Sequence, residues 1–298
     1  MTRSFAGLWP AIATPFHENG DINYPRLIEH GEALFEEGVT GLTVLGTTSE
    51  ANSLTLAERL ETMDRLVEGD IPPQRLIPGT GACAIDDAVA LTRRAGELGM
   101  AGVLLLPPFY YKDVAEDGLF EFVARVIERA GPRVPPILLY HIPPVAIVGW
   151  SHNLIARLLI AFPGIVRGMK DSSGKIEHTT EMLDRFPSFE VLPGSESYLL
   201  AAFGKGAHGC ISASANVNAK AIVELIRNPD DPNAAELQAS LNKVRQAVQA
   251  RGLIPSIKAV LAARYRDNNW LNVRPPLMKI SAAAATALRV DIAEIGLI

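Results

Sequence analysis

Eight short apolar runs recur along the first 217 residues of the chain, and amphipathic stretches separate most of them. The runs span residues 7–14, 41–45, 75–79, 102–106, 137–142, 165–170, 190–193 and 209–212. Most are rich in Val, Ile and Leu without alternating polar residues, which is typical of strands buried on both faces. The stretches between them carry helical spacing and capping signals, such as the Thr55 and Glu58 pair of a capping box. The chain is therefore predicted to alternate strands and helices.

This alternation predicts a closed barrel of parallel strands, each followed by a helix. About eight strand–helix units in about 220 residues match the count and the length of a (β/α)8 (TIM) barrel. A doubly wound open sheet has the same alternation and is the competing architecture. Eight units without a dinucleotide-binding fingerprint favour the closed barrel within the α/β class.

The last part of the chain has a different pattern. After residue 218 the strand signal disappears, and segments 219–227, 233–250, 255–266 and 281–288 have helical periodicity. Residues 228–232, with the sequence Asn-Pro-Asp-Asp-Pro, are typical of a linker. We therefore expect a barrel domain over residues 1–227 and a helical domain over residues 228–298. The apolar faces of these helices need a partner, which is either the barrel or another subunit.

Composition and charge exclude several classes of protein. The chain has 28 basic and 33 acidic residues, for a net charge of −5, and no run of like charges. The basic footprint of a nucleic-acid-binding protein is therefore missing. Cys83 and Cys210 are the two cysteines, too few for a disulfide scaffold or a thiolate metal site. No signal peptide or membrane-spanning stretch is recognisable. We expect a soluble, cytoplasmic protein without nucleic-acid or membrane partners.

Lys170 is the strongest candidate for a catalytic residue. In barrels of this kind the active site lies at the carboxyl ends of the strands. Of the eight lysines, only Lys170 follows directly on an apolar run. Burial there disfavours the charged form of an amine, and a neutral amine is what Schiff-base formation with a ketone requires. A plain ion pair with Asp171 or a neighbouring carboxylate explains the position equally well, so both interpretations stay open.

Two further polar groups follow neighbouring strands. Tyr140 ends the run before Lys170, and its phenol can pass a proton to or from an oxygen, or simply fill the barrel mouth. Gly46, Thr47 and Thr48 follow the second run. The hydroxyls and backbone N–H groups of such a turn can bind a carboxylate. An ordinary turn into the next helix has the same composition.

No metal and no cofactor are expected. The six histidines form no H-x-H or H-E-x-x-H pair, so the ligands of a metal-dependent aldolase or hydrolase are not recognisable. Glu196 follows the seventh run, where many barrels bind phosphate, and its charge would repel a phosphate. The expected substrate is therefore an unphosphorylated small molecule.

Six motifs in chain order match those of one enzyme family. They are Thr14-Pro15-Phe16, Gly46-Thr47-Thr48-Ser49-Glu50, Pro107-Pro108-Phe109-Tyr110-Tyr111, Tyr140-His141-Ile142-Pro143, Gly168-Met169-Lys170-Asp171-Ser172-Ser173-Gly174 and Gly209-Cys210-Ile211-Ser212-Ala213-Ser214-Ala215-Asn216. With these motifs, the chain resembles the dihydrodipicolinate synthase and N-acetylneuraminate lyase family of class I aldolases over essentially its full length.

The resemblance implies a common first half-reaction. Lys170 would form a Schiff base with C2 of pyruvate or of a longer 2-oxo acid, and Tyr140 would move protons at that centre and at the scissile hydroxyl. Thr47 and Thr48 would hold the carboxylate of the 2-oxo acid. The backbone near Ile211 would line the same pocket.

The resemblance also implies an assembly. In the synthases, a tyrosine that matches Tyr111 reaches into the site of a neighbouring subunit and joins a proton relay with the residues that match Thr47 and Tyr140. The family is usually a tetramer built as a dimer of dimers. We therefore expect a homotetramer in which Tyr111 has a catalytic role.

Several positions depart from the pattern of the synthases. Their turn motif has glycine where this chain has Ser49, and their arginine for the carboxylate of the aldehyde substrate is replaced by Val145. A valine cannot hydrogen-bond a carboxylate. Glu196 can accept hydrogen bonds from substrate hydroxyls, which suits a sugar acid or a polyhydroxylated aldehyde. His141 replaces a common asparagine, and the sequence assigns it no role.

These observations rank the candidate functions. The first is a lyase that forms a Schiff base and an enamine on Lys170, either an aldolase or a dehydratase. Its substrate would be a 2-oxo-3-deoxy sugar acid, or pyruvate together with an aldehyde. The second is dihydrodipicolinate synthase. A binding or regulatory protein on the same fold is a third possibility. A phosphate-binding barrel isomerase is disfavoured by Glu196.

Overall fold

The computed structural model describes residues 5–296 as a ring of short parallel strands surrounded by helices. The strands are β1 (Gly7–Leu8), β2 (Leu42–Val44), β3 (Leu76–Pro78), β4 (Val103–Leu105), β5 (Ile137–His141), β6 (Val166–Asp171), β7 (Glu190–Pro193) and β8 (Gly209–Cys210). The helices are α1 (Tyr24–Glu36), α2 (Leu56–Glu68), α3 (Ile85–Glu97), α4 (Glu116–Ala130), α5 (Pro143–Ala146), α6 (His152–Ala161), α7 (Ile176–Arg185), α8 (Leu199–Phe203), α9 (Ala215–Arg227), α10 (Ala234–Gln249), α11 (Leu253–Tyr265) and α12 (Ala282–Glu294).

Parallel pairing, isolated bridges and one further hydrogen bond join the strands around the ring. Strands β4 to β7 form one sheet, β2 pairs with β3, and β1 pairs with β8. The bridges Ala11–Thr43 and Gly79–Leu104 link these groups, and the N–H of Ile211 donates to the carbonyl of Pro193 at 3.0 Å. The closed (β/α)8 architecture predicted from the sequence is confirmed.

The first strand is shorter than its apolar run. β1 covers only Gly7–Leu8, whereas the sequence predicts a run over residues 7–14. Pro10 lies inside that run and has no N–H to donate to a neighbouring strand. The chain therefore continues along β2 through the single bridge of Ala11 with Thr43 rather than through a continuous ladder.

The last helices pack onto the carboxyl end of the barrel. α10, α11 and α12 share an apolar cluster that includes Val248, Leu261 and Leu288, and this cluster also contains Ala13 and Ala213 of the barrel. The sequence left the partner of these helices open between the barrel and another subunit. Within the described residues, the barrel covers a part of their apolar surface. The division into domains at residues 227 and 228 stays a prediction.

A buried ion pair fixes this helical part to the barrel. The ammonium group of Lys258 on α11 donates to the carboxylate of Glu50 and, at 2.6 Å, to the carbonyl of Asn272. The N–H of Arg274 donates to the second oxygen of Glu50 at 2.8 Å. Burial lowers the pKa of Lys258 to about 8. Because the pair is fully buried, removing one partner leaves an uncompensated charge. We expect this to lower the free energy of unfolding by ~3–5 kcal/mol.

Across residues 5–296, we find no helix with the length and apolar character that crossing a membrane requires.

The buried His30 on α1 makes the stability of the fold depend on pH. Its ring is fully buried between the hydroxyl of Tyr265, at 2.8 Å, and the Oδ1 atom of Asn216, at 3.0 Å. Burial lowers the pKa of His30 to about 4. The folded state therefore binds fewer protons than the unfolded state between pH 6.5 and 4, so stability falls as the pH falls through that window.

We expect acidification to remove on the order of 3 kcal/mol through His30 alone. In a His30→Gln variant, an amide can keep both hydrogen bonds without titrating. We would measure the free energy of unfolding of both proteins by urea denaturation between pH 4.5 and 7.5. It should decrease less steeply with falling pH in the variant than in the wild type. The matched control is His17→Gln, which changes an exposed histidine. Its unfolding free energy should depend on pH as that of the wild type does. Equal slopes in wild type and His30→Gln would contradict this assignment.

Candidate active site

Lys170 and Tyr140 lie side by side at the carboxyl ends of two neighbouring strands. In the parallel register of β5 and β6, Tyr140 is directly opposite Lys170. Gly168, two residues earlier on β6, allows β7 to approach, because a Cβ atom there would lie 2.3 Å from the carbonyl oxygen of Glu190. The apolar run before Lys170 is thus packed on both sides, which places the amine at the barrel mouth.

The side chains of Lys170, Tyr140 and Thr47 form a hydrogen-bonded chain. The Nζ atom of Lys170 donates to the Tyr140 hydroxyl at 3.3 Å, and that hydroxyl lies 3.1 Å from Oγ1 of Thr47. Nζ also lies 4.3 Å from the centre of the Tyr140 ring. Lys170 and Tyr140 are each only 4% exposed. The arrangement can pass a proton between the amine, the phenol and the threonine.

The ion pair that the sequence left open for Lys170 is not found within residues 5–296. No carboxylate there lies within salt-bridge distance of its amine. Asp171, the partner considered, instead accepts hydrogen bonds from the Oγ1 atom of Thr179 at 2.6 Å and from the N–H of Ser173 at 2.9 Å. Its Oδ2 atom also lies 3.0 Å from Nδ1 of His178. The amine of Lys170 is therefore left beside the phenol.

The turn after β2 is held in a constrained conformation next to this chain. Leu45 and Glu50 flank the turn with φ angles of 56° and 58°, in a region that non-glycine residues seldom adopt. Ser49 replaces the usual glycine and donates from its hydroxyl to the carbonyl of Ile12 at 2.6 Å. Thr14 donates to the carbonyl of Ser49 at 2.9 Å. Strain of this kind persists where the surroundings fix it, often at functional sites.

A cavity of about 480 Å³ opens above these residues. Thr47, Thr48, Tyr140 and Lys170 all line it, so four of the residues predicted from the sequence are brought together. Four serines add hydroxyl groups to the wall: Ser172, Ser173, Ser195 and Ser197. Val145 on α5 also lines it and is 62% exposed. The wall therefore combines these hydroxyls with apolar side chains, among them Ile142, Val145 and Leu253.

Ile211 and Tyr111 lie elsewhere. The side chain of Ile211 is fully buried in one cluster with Tyr140 and is not part of the cavity wall, whereas Ala213, two residues further along the chain, is. Tyr111 is 73% exposed on the loop after β4, where its ring packs edge to face against Tyr110 at 5.2 Å. Within this chain the structure does not bring Tyr111 to Lys170.

Glu196 is placed differently from the expectation. The sequence predicts that it accepts hydrogen bonds from substrate hydroxyls, but its side chain is fully buried outside the cavity wall. Its two carboxylate oxygens accept hydrogen bonds from the hydroxyls of Ser212 and Ser214. The Nη1 atom of Arg245 lies 3.8 Å from it. Both oxygens of Glu196 are thus hydrogen-bonded to serines of the segment after β8. This placement counts against direct contact between Glu196 and substrate.

His141 belongs to a cluster that the sequence did not reveal. Its ring stacks on that of His178 with centroids 4.4 Å apart and planes 7° apart. Its Nδ1 atom accepts the N–H of Trp150 at 3.2 Å, and the indole of Trp150 donates to the carbonyl of Tyr140 at 3.1 Å. Burial, with the charge of His178 second, lowers the pKa of His141 to about 4. His141 therefore helps to hold the backbone of Tyr140 in place.

His141, Asp171 and His178 could together offer three metal ligands within 4.8 Å of one another. An ion bound to an imidazole nitrogen lies in the plane of the ring, and two stacked, nearly parallel rings share no such point. The Nδ1 atom of His141 is already an acceptor, and Asp171 is hydrogen-bonded to His178, which raises the pKa of that histidine. Hydrogen bonding and stacking account for this cluster without an ion.

Comparisons with known proteins identify the family of this chain. The family model of the dihydrodipicolinate synthetase family matches residues 4–295. An uncharacterized DapA-like lyase of Chloroflexus aurantiacus is 33% identical over 289 residues, covering 95% of this chain and 94% of the relative. The 4-hydroxy-tetrahydrodipicolinate synthase of Agrobacterium fabrum is 30% identical over 287 residues, covering 95% of each chain.

Among solved structures, the dihydrodipicolinate synthase of Agrobacterium tumefaciens superposes with a TM-score of 0.90 at 30% identity. The match covers 97% of this chain and 99% of the other. The agreement therefore includes the barrel and the C-terminal helices. The chain belongs to the dihydrodipicolinate synthetase family and is a lyase of that family.

Proposed function

We propose that the protein is a class I lyase that forms a Schiff base between Lys170 and pyruvate or a longer 2-oxo acid. One observation carries the proposal: the amine of Lys170 is buried, free of any carboxylate partner within residues 5–296, and 3.3 Å from the Tyr140 hydroxyl at the floor of the cavity. An amine that lines a cavity and has no carboxylate partner is a candidate nucleophile for a ketone carbon. A phenol at that distance can move the protons that the reaction requires.

The steps follow from the positions of these groups. The Nζ atom attacks C2 of the 2-oxo acid, the C2 oxygen takes up protons, and water leaves to give the protonated imine. Loss of a proton from C3 gives the enamine, which attacks the aldehyde carbon and forms the carbon–carbon bond. The aldehyde oxygen takes up one proton, for which Tyr140 is the donor. Addition of water to the imine releases the product and regenerates Lys170.

The turn after β2 would hold the carboxylate of the 2-oxo acid. Thr47 and Thr48 both line the cavity, and Thr47 is hydrogen-bonded to the same phenol as Lys170. Hydroxyl and backbone N–H groups of a tight turn suit a carboxylate. The backbone near Ile211 would line the same pocket, since Ala213, two residues further along the chain, lies on the cavity wall.

The hydroxyl-rich wall supports a sugar acid as substrate. Four serines line the cavity, and Val145 stands where a carboxylate-binding arginine would otherwise follow Tyr140. We therefore rank cleavage or dehydration of a 2-oxo-3-deoxy sugar acid first. Synthesis of 4-hydroxy-tetrahydrodipicolinate is the second candidate, and it is favoured by relatives of that name at 29–33% identity.

We also propose that the chain forms a homotetramer in which Tyr111 completes the site of a neighbouring subunit. Tyr110 and Tyr111 are 72% and 73% exposed, on a loop at the same end of the barrel as Lys170. Exposed aromatic pairs are typical of protein interfaces. Light scattering should give the mass of four chains.

Exchange of the methyl protons of pyruvate tests the first half-reaction without knowledge of the aldehyde. Enamine formation removes a C3 proton, and its reversal in D2O inserts deuterium. We expect the protein to abolish the methyl signal of pyruvate in proton NMR spectra much faster than buffer does. A folded protein that leaves the exchange rate at the buffer value would contradict the proposal.

A further inference from the structure

Arg245 brings a second positive charge to the cavity that contains Lys170. It extends from α10, in the helical part, and lines the same wall as Ser195 and Ser197. Its side chain is only 15% exposed. The one carboxylate on the cavity wall, Asp171, is occupied by hydrogen bonds of its own. Lys170 and Arg245 are thus the basic side chains on the described part of the cavity wall.

The guanidinium of Arg245 is held in place but is incompletely paired. Its Nε atom donates to Oε1 of Gln249 at 3.0 Å. Its Nη1 atom is buried and has no hydrogen-bond partner within residues 5–296. The carboxylate of Glu196, at 3.8 Å, is beyond hydrogen-bond distance, and the hydroxyls of Ser212 and Ser214 already occupy both of its oxygens. Because Arg245 lines the cavity and its one hydrogen bond within residues 5–296 is the one from Nε, the guanidinium has further N–H groups that can donate to a ligand oxygen.

The anion that fits Arg245 is a carboxylate rather than a phosphate. A single guanidinium matches a carboxylate in charge and in planar geometry. A phosphate dianion would meet the charge of Glu196 just behind the arginine, and no further cation than Lys170 lines the described wall. Val145 cannot supply this contact, since its side chain has no donor.

We propose that Arg245 determines specificity by binding a second carboxylate, at the end of the substrate remote from the 2-oxo group. The inference rests on the proposed function, because it assumes that Lys170 holds the 2-oxo carbon. It narrows the substrate class to 2-oxo-3-deoxy diacids, or equivalently to an aldehyde that carries a carboxylate. The positive charge that position 145 lacks is then supplied by a helix outside the barrel.

Inhibition of pyruvate proton exchange by matched acids tests this role. The inhibitors are 2-oxoglutarate, 2-oxoadipate and 2-oxopimelate, each paired with the 2-oxo monoacid of equal chain length. We expect at least one diacid to inhibit the wild type about 10- to 100-fold more strongly than its matched monoacid, as a hydrogen-bonded charge pair provides. Arg245→Gln should remove this preference, with the inhibition by each acid measured relative to the variant's own rate of pyruvate exchange.

Two further variants separate specificity from structural support. Arg245→Lys keeps the charge and should retain part of the preference for the diacid. Lys243→Gln removes an exposed positive charge from the same helix and should leave the preference unchanged. If Arg245 merely neutralises Glu196, Arg245→Gln will weaken diacids and monoacids equally and lower the melting temperature.

The outcomes distinguish this inference from the proposed function. Wild-type exchange without any preference for diacids would overturn the role of Arg245 and leave the Schiff-base proposal intact. If Arg245→Gln weakens inhibition by diacids and by monoacids equally, the role of Arg245 is likewise overturned and the Schiff-base proposal stays intact. Absence of exchange in the wild type would remove the proposed function and this inference with it.

Discussion

Replacing Lys170 with alanine should lower turnover by at least about 10⁴-fold, because the amine supplies the covalent intermediate on which every later step depends. Alanine leaves β6 and its pairing with β5 and β7 in place. The variant should therefore keep the wild-type circular dichroism spectrum. Proton exchange of pyruvate should fall to the buffer rate together with turnover.

The matched control for this variant is Lys175→Ala, which removes an exposed lysine from the loop that follows β6. We expect it to retain wild-type exchange and turnover. Substantial residual exchange in a folded Lys170→Ala protein would show that another group activates pyruvate, and the mechanism proposed here would then be wrong.

Replacing Tyr140 with phenylalanine should have the second largest effect. The change removes only the hydroxyl that lies 3.3 Å from the Lys170 amine and 3.1 Å from Thr47. The ring stays to pack against the lysine. We expect kcat to fall by about 10²- to 10⁴-fold, the usual contribution of a general acid–base group. The Schiff base should still form, but more slowly.

The assay should follow both pyruvate exchange and overall turnover, because the phenol is proposed to act in both. Tyr24→Phe, which removes a hydroxyl on α1 outside the cavity, is the control and should behave as the wild type. A kcat near the wild-type value for Tyr140→Phe would mean that the phenol only fills space beside the lysine.

The barrel and the centre of the site could be predicted because they depend on local pattern and on one topological rule. Strands buried on both faces leave long apolar runs, and the residue after each run lies at the same end of the barrel. That rule brought Lys170, Tyr140 and the Thr47–Thr48 turn to one cavity. The resemblance to the family added their proposed chemistry.

The parts that could not be predicted depend on contacts between segments distant in sequence. Arg245 has no local signal, because α10 is one of several amphipathic helices and its packing onto the barrel decides which side chain reaches the cavity. The placement of Glu196 depends on Ser212 and Ser214, which arrive from the next strand. His141 and His178 meet only because β5 neighbours β6 and the helix that follows it.

The Schiff base between Lys170 and pyruvate is tested most directly by identifying the residue that pyruvate modifies. Borohydride reduction in the presence of pyruvate, followed by intact mass measurement and peptide mapping, fixes the Schiff base as a stable secondary amine. We expect one pyruvate-derived adduct per chain, on Lys170. An adduct on another lysine, or no adduct on folded protein in excess pyruvate, would contradict it.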